Sequence, residues 1–155
     1  MENEAYLDHL HDFIVEAKAA TYVGGGNSVA TPRGSTDLVY STGEFTYADS
    51  YFGAQDFIGQ EVVYYKDEPI WVMNYYGKIL MPKKITGEEA GAIIKESLSK
   101  MYAQGRFLGN FEHNAGEFQY YDTNIGGVSS FTGREWITRN NEVVYELVYH
   151  GGVVK

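Results

Sequence analysis

At 155 residues the chain is long enough for one compact domain and too short for two independent ones. Its formal net charge of −9 argues against direct contact with nucleic acid or with anionic membrane surfaces, because both need a basic protein face. The sequence contains no cysteine, which excludes disulfides, thiolate metal ligands and cysteine nucleophiles.

The N-terminal segment predicts a cytoplasmic protein that begins with a helix. It lacks the basic region and apolar core of a signal peptide, and no stretch of the chain approaches the roughly 18 apolar residues that span a bilayer. Apolar side chains such as Leu10 and Ile14 recur at helical spacing over residues 4–20. Three glycines at 24–26 end this run, and residues 23–36, rich in Gly, Ser, Thr and Pro, predict a loop.

The pattern changes to β from residue 38. Residues 38–80 contain short runs rich in β-branched and aromatic side chains, which predict three or four antiparallel strands. Turns are expected at Thr42-Gly43 and at 66–69. Side chains two residues apart in such strands share one face of the sheet, so the sequence also predicts which residues lie together.

A second helix is predicted in the middle of the chain. Thr86 provides an N-cap with Glu89 three residues further on, and apolar residues then continue at helical spacing until Gly105. Residues 107–154 return to the β pattern, with a hairpin turn at Asn140-Asn141. The order of elements is therefore helix, strands, helix, strands.

Residues 43–80 and 116–154 follow the same pattern, and this repetition is the strongest constraint in the sequence. One extra residue between Gly126 and Phe131 keeps the two copies aligned. Twelve positions are identical, where average residue usage would give roughly two or three. The identical pairs are Gly43/Gly116, Glu44/Glu117, Phe45/Phe118, Tyr47/Tyr120, Asp49/Asp122, Gly53/Gly126, Phe57/Phe131, Gly59/Gly133, Glu61/Glu135, Glu68/Glu142, Tyr75/Tyr149 and Gly77/Gly151.

The repetition predicts an internally duplicated α-β-β-β unit within a single α+β domain that spans residues 1–155. The first half-repeat covers about 4–80 and the second about 86–154, which gives two helices and a curved antiparallel sheet. Two similar halves related by an approximate two-fold axis meet at a cleft, and a ligand site is expected there.

One face of the predicted sheet carries the candidate site residues. Period-two spacing places Glu61 and Glu135 on an apolar, aromatic face, where an ionised carboxylate is costly unless it is paired or hydrogen-bonded. Carboxylates among aromatic walls are typical of a site for a cationic or aromatic small molecule. The aromatic residues expected around the two glutamates are Tyr47, Trp71, Tyr75, Tyr120, Tyr145 and Tyr149.

Other interpretations of the acidic residues stay open at this stage. If backbone amides or tyrosine hydroxyls donate hydrogen bonds to Glu61 and Glu135, these glutamates only stabilise the geometry of the sheet. Asp49 and Asp122 each precede a glycine-containing stretch, where Asp commonly bonds its own backbone in a turn. The sequence contains no nucleophile elbow, phosphate loop, zinc spacing or dinucleotide fingerprint, so neither a cofactor nor a metal is expected.

Four runs of the sequence resemble a known family. They are FIVEAKAATYVGGG at 13–26, DSYFGAQDFIGQEVVYYKDEPIWVMNYYG at 49–77, FTGREWI at 131–137 and VYELVYHGG at 144–152. The chain resembles, over nearly its whole length, an uncharacterised bacterial domain of unknown function. The resemblance implies a domain that occurs alone or behind an N-terminal helix-turn-helix of XRE-type regulators, and it implies no activity and no catalytic residues.

Three functional hypotheses follow. The leading one is a non-catalytic domain that binds or senses a small molecule in a carboxylate- and aromatic-lined cleft between the repeats. The second is an enzyme that uses the paired glutamates as acid and base on a small substrate. The third is a protein–protein interaction module whose aromatic face or sheet edge meets a partner, such as a second copy of the chain in a homodimer.

Overall fold

The computed structural model of the protein describes residues 4–25, 27–30 and 34–155. These residues form two α helices, one π-helical turn and nine strands. The helices are α1 (Glu4–Lys18) and α2 (Gly87–Ala103), and the π turn spans Ala19–Val23. The strands are β1 (Asn27–Ala30), β2 (Thr36–Thr42), β3 (Phe45–Gly53), β4 (Phe57–Tyr65), β5 (Glu68–Ile79), β6 (Phe111–Ala115), β7 (Phe118–Gly127), β8 (Ser130–Arg139) and β9 (Glu142–Val153).

The predicted order of helix, strands, helix and strands is confirmed, with three differences. β1 lies inside the segment 23–36 for which the sequence predicts a loop, and residues 26 and 31–33 of that segment lie outside the described part. The α-helical path ends at Lys18, and the chain continues to Val23 as a π turn. The first repeat unit carries five strands, β1–β5, of which β2 is the fourth strand that residues 38–80 allowed, and the second unit carries four, because β6 adds one to the three predicted.

The nine described strands form one antiparallel sheet in the order β1-β2-β3-β4-β5-β9-β8-β7-β6. The sheet is curved, and its edge strands β1 and β6 do not pair with each other. Strands β2–β5 and β6–β9 are two meanders that join where β5 pairs with β9, with Tyr75 opposite Tyr149. The β4–β5 hairpin turns at Lys66-Asp67 and the β8–β9 hairpin at Asn140-Asn141, and all four turn residues have the positive φ that such tight turns require.

The helices cover the face of the sheet that carries the repeated aromatic and acidic residues. Along β3, Phe45, Tyr47 and Asp49 are buried, while the residues between them are half-buried. α1 contacts β3, α2 contacts β6 and β7, and the two helices contact each other. The strand pattern therefore identifies the residues of the buried face, and the helix packing shows which side of the sheet is covered.

Both helices follow from local sequence signals. The predicted capping box at the start of α2 is present, because the Glu89 backbone N–H donates to Thr86 Oγ1 at 3.1 Å and the Thr86 N–H donates to Glu89 Oε2 at 2.8 Å. Leu10, Ile14 and Ala17 form the buried stripe of α1. Neither helix in the described part of the chain is long and apolar enough to cross a membrane.

Candidate functional site

A cavity of about 370 Å³ lies between the helices and the middle of the sheet. Glu61 and Tyr75 line it from the first half of the chain, and Glu135, Tyr145 and Tyr149 line it from the second. Five of the eight site residues predicted from the sequence therefore meet around one cavity. Its volume is within the range of small-molecule sites.

The other three predicted site residues lie in the core behind the cavity wall. Tyr47, Trp71 and Tyr120 are fully buried and are not among the residues that line the cavity. Trp71 donates its indole N–H to the carbonyl oxygen of Val128 at 3.0 Å, and Tyr120 donates its hydroxyl to Glu135 at 2.6 Å. These side chains support the wall, and a ligand in the cavity would not contact them.

Small residues of α2 leave room for the cavity. Gly87, Ala90 and Gly91 line it from one side of the helix, and a Cβ atom on Gly91 would meet nothing within 4 Å. The exposed residues 53–55 and the exposed Lys95 also line it. The cavity therefore reaches solvent on this side of the molecule.

Lys18 is a cavity residue that the sequence hypothesis missed. It lies at the end of α1, and its Nζ donates to Glu61 Oε1 at 2.8 Å and to Glu61 Oε2 at 2.6 Å. The side chains of Lys18 and Glu61 are only 7% and 8% exposed. The signal was available, because Lys18 lies four residues after Ile14 and so continues the apolar stripe of α1 into the core.

The π turn that follows Lys18 brings a tyrosine to the same cavity. The Gly24 N–H donates to the carbonyl oxygen of Ala19 at 2.7 Å, which closes a turn wider than that of an α helix. Tyr22, four residues after Lys18, lines the cavity beside it. The buried Thr21 hydroxyl bonds back to the helix, so the turn has its own internal support. No pattern in the sequence predicted this π turn.

Asp49 and Asp122 are also cavity residues, which corrects the interpretation of both as turn residues. Each is about 95% buried, at 4% and 5% exposure. Tyr75 donates its hydroxyl to Asp49 Oδ1 at 2.6 Å, and Tyr149 donates to Asp122 Oδ1 at 2.6 Å. Each aspartate lies directly opposite the glutamate of its half, so the sheet brings two carboxyl groups together on each side.

The two glutamates lie at matching positions but have different partners. Glu135 accepts hydrogen bonds from the hydroxyls of Tyr120 at 2.6 Å and Tyr145 at 2.9 Å. Glu61 accepts both of its bonds from the ammonium group of Lys18. The hydroxyl of Tyr47, which corresponds to Tyr120, is buried and has no hydrogen-bond partner among the described residues.

Two glycines allow the tyrosines to reach the aspartates. A Cβ atom on Gly59 would overlap the Tyr75 ring, and one on Gly133 would overlap the Tyr149 ring. Each glycine lies directly opposite its tyrosine on the neighbouring strand. Each tyrosine ring therefore packs against its glycine, and its hydroxyl reaches the aspartate of the same half.

Burial raises the pKa values of three cavity carboxyl groups. It raises the pKa of Asp122 to about 6. Burial and the nearby charge of Asp122 raise the pKa of Glu135 to about 7. Burial, and then the charge of Glu61, raise the pKa of Asp49 above its usual range. The positive charge of Lys18 opposes all three rises, so a further cation in the cavity would favour the ionised forms in the same way.

Comparison with known proteins identifies the family of the chain. It belongs to the family described as "Domain of unknown function (DUF5680)", which matches residues 49–154. The match begins at Asp49 and contains all four cavity carboxylates, whereas Lys18 and Tyr22 precede it. The resemblance to a domain of unknown function is therefore confirmed. No curated protein and no solved structure is significantly similar to the chain.

The glycine and tyrosine contacts predict a stability effect. Gly59→Ala and Gly133→Ala should each lower the free energy of unfolding by about 1–3 kcal/mol, because the added methyl group displaces a buried tyrosine ring from its aspartate. Gly127→Ala is the matched control, since a Cβ atom there meets nothing within 4 Å. Urea unfolding of the wild type and the three variants measures the changes in the free energy of unfolding. Equal stability of all three would contradict this role of the glycines.

The raised pKa values predict a dependence of stability on pH. A carboxyl group whose folded pKa is raised stabilises the fold at pH values below its unfolded pKa, and this contribution is lost as the pH rises through the folded pKa. The unfolding free energy should therefore fall between about pH 4 and pH 7, from the unfolded to the folded pKa values, and Glu135 alone should contribute on the order of 3 kcal/mol to the fall.

Glu135→Gln should flatten this pH profile, because the amide does not ionise. Glu112→Gln removes an exposed glutamate outside the cavity and is the control for the change in net charge. Denaturant unfolding of both variants and of the wild type at several pH values gives the three profiles. If the profile of Glu135→Gln follows that of the wild type, the carboxyl group of Glu135 does not carry the effect.

Proposed function

We propose that this protein is a non-catalytic domain that binds or senses a small molecule with a cationic group and an apolar or aromatic body. The observation that carries the proposal is an excess of buried carboxylates at a cavity of about 370 Å³. Asp49, Glu61, Asp122 and Glu135 all line this space, and among them only Glu61 forms a buried ion pair in the described structure.

The electrostatics of the cavity favour a cationic ligand. The charge of Glu61 is compensated by Lys18, whereas Asp49, Asp122 and Glu135 are held by tyrosine hydroxyls alone and have raised pKa values. A bound cation would offset the cost of burying these charges. The tyrosine rings and the apolar side chains of the wall supply the surface that an aromatic or aliphatic ligand body needs.

The proposal extends to the origin and setting of the domain. We infer that the two halves arose by duplication of one unit, which is supported by the opposition of Tyr75 and Tyr149 at the centre of the sheet and by equivalent hairpin turns. We propose a cytoplasmic bacterial protein whose relatives sense effectors alone or behind XRE-type helix-turn-helix modules. Nucleic acid and membranes are not proposed as direct partners, because the net charge is −9.

A thermal-shift screen of cationic, aromatic and sugar-like small molecules tests the binding proposal. Ligands with an ammonium group should raise the melting temperature of the wild type and should have little effect on Glu135→Gln, because binding stabilises only the folded state that offers the carboxylate. Glu112→Gln should respond as the wild type does. The absence of any shift across a broad screen of cations would contradict the proposal.

Two substitutions of Gly91 test the same binding site without changing its charge. Gly91→Phe should fill the space beside α2 and abolish the ligand-induced shift, whereas Gly91→Ala should retain it because a Cβ atom there has room. Gly91→Ala should also stabilise α2 by about 0.5–1 kcal/mol. Retention of full ligand response in a folded Gly91→Phe variant would place the binding site elsewhere.

Acid–base catalysis is the alternative use of the same site. The observation in its favour is the pKa of Glu135, about 7, which suits a group that gives and takes protons near neutral pH. Any ligand found in the screen can distinguish the two functions. A sensor leaves the ligand chemically unchanged, whereas an enzyme converts it to a product. Product analysis by mass spectrometry after incubation with the protein distinguishes these outcomes.

The uncovered face of the sheet favours a second role, as a homodimer interface. Phe52, Ile58, Tyr76 and Val148 follow one another across four neighbouring strands, and each is 43–56% exposed. Contiguous exposed apolar side chains of this kind are typical of interaction sites.

Ile58→Lys should convert a dimer to a monomer, whereas Gln60→Lys on the same face should not. Light scattering at increasing protein concentration measures this, and a monomeric wild type contradicts the role.

A further inference from the structure

The two halves of the cavity are unequal in a way that bears on the choice of ligand. In the first half, both oxygens of Glu61 are taken by the ammonium group of Lys18, at 2.8 and 2.6 Å. In the second half, Glu135 has two tyrosine hydroxyls as partners and no lysine. One half therefore already contains an ammonium group, and the other contains the same carboxylates without one.

The hydrogen-bond partners of the first half show that Lys18 is an integral part of it. Tyr120 donates to Glu135 at 2.6 Å, but the equivalent Tyr47 donates to nothing in the described structure, although it is close enough to Glu61 for that charge to raise its pKa. Trp71 replaces the second tyrosine donor and bonds to the backbone of Val128. Among the described residues Glu61 thus accepts no tyrosine hydrogen bond, and the ammonium group of Lys18 satisfies it instead.

We propose that Lys18 is a built-in cation that fills one of two ammonium subsites and so makes the cavity selective for ligands with a single ammonium group. This inference rests on the proposed binding of cationic ligands. The ligand's ammonium group takes the subsite beside Glu135 and Asp122, and its apolar body extends across Tyr75 and Tyr149. A second ammonium group reaching Glu61 would lie against Lys18, and juxtaposed like charges are strongly disfavoured.

The position of Lys18 is well supported against displacement. Its side chain is 7% exposed, and its Nζ lies 5.7 Å from the centre of the Phe107 ring, so a cation–π contact adds to the ion pair. The next cation on the cavity wall, Lys95, is exposed and lies over the ring of Tyr22. It is therefore Lys18, and not Lys95, that occupies the carboxylate cluster.

Paired monoamines and diamines test this inference by isothermal titration calorimetry. The probes are butylamine with putrescine, hexylamine with hexamethylenediamine, and octylamine with octamethylenediamine, so that each pair differs only in the second ammonium group. The wild type should bind the monoamine of the best-bound length at least about tenfold more tightly than its diamine. Lys18→Met removes the built-in cation and leaves Glu61 free. This variant should therefore bind a diamine that spans both subsites more tightly than the monoamine of the same length.

The double variant Lys18→Met, Glu61→Gln is the matched control, and it also avoids an unpaired buried charge. It should bind diamines no more tightly than the wild type does, because the second carboxylate is absent. Glu135→Gln should lose monoamine binding. Equal affinity of the wild type for both members of each pair overturns the inference, and so does an unchanged preference in folded Lys18→Met. If the wild type binds no amine of the series, the proposed function fails, and the inference fails with it.

Discussion

The buried ion pair between Lys18 and Glu61 is the contact that sets the distribution of charge around the cavity. It joins the end of α1 to β4 in the middle of the sheet, where both charges are removed from water. Burying two charges is costly, and the cost is offset only when the geometry is good and the hydrogen bonds are complete. Both Glu61 oxygens are satisfied here, so the pair holds the helix end above the sheet.

The remaining carboxylates explain why the fold needs so many tyrosines. A tyrosine hydroxyl satisfies a buried carboxylate without adding a charge, so Asp49, Asp122 and Glu135 remain in the core with raised pKa values. Cross-strand glycines give two of these tyrosine rings the room to do so. An acidic core built for stability alone would replace these groups with apolar ones. Their grouping around one cavity is the feature on which the proposed binding function depends.

Much of the fold could be predicted from the sequence, because it follows from local patterns. Period-two spacing placed Glu61 and Glu135 on the buried face, and Asn140-Asn141 and Thr86 marked a turn and a helix start. The site was only half predictable. Strand spacing assigns a residue to a face but not to a position relative to the helices, so Trp71 could not be distinguished from a wall residue. Lys18 was missed because its partner depends on where α1 packs, which no local pattern specifies.

The differences between the two repeat units make the site asymmetric. Two equal halves with four carboxylates would offer two equivalent cation subsites and would suit a symmetrical dication. The helices break this equality, because α1 ends at the cavity with Lys18 whereas α2 presents Tyr102 near its own end. Lys18 pairs with Glu61 in the first half, whereas Tyr102 is a neutral phenol that lines the same cavity. The sheet thus supplies matching carboxylates in both halves, and the end of α1 supplies a cation to the glutamate of the first half.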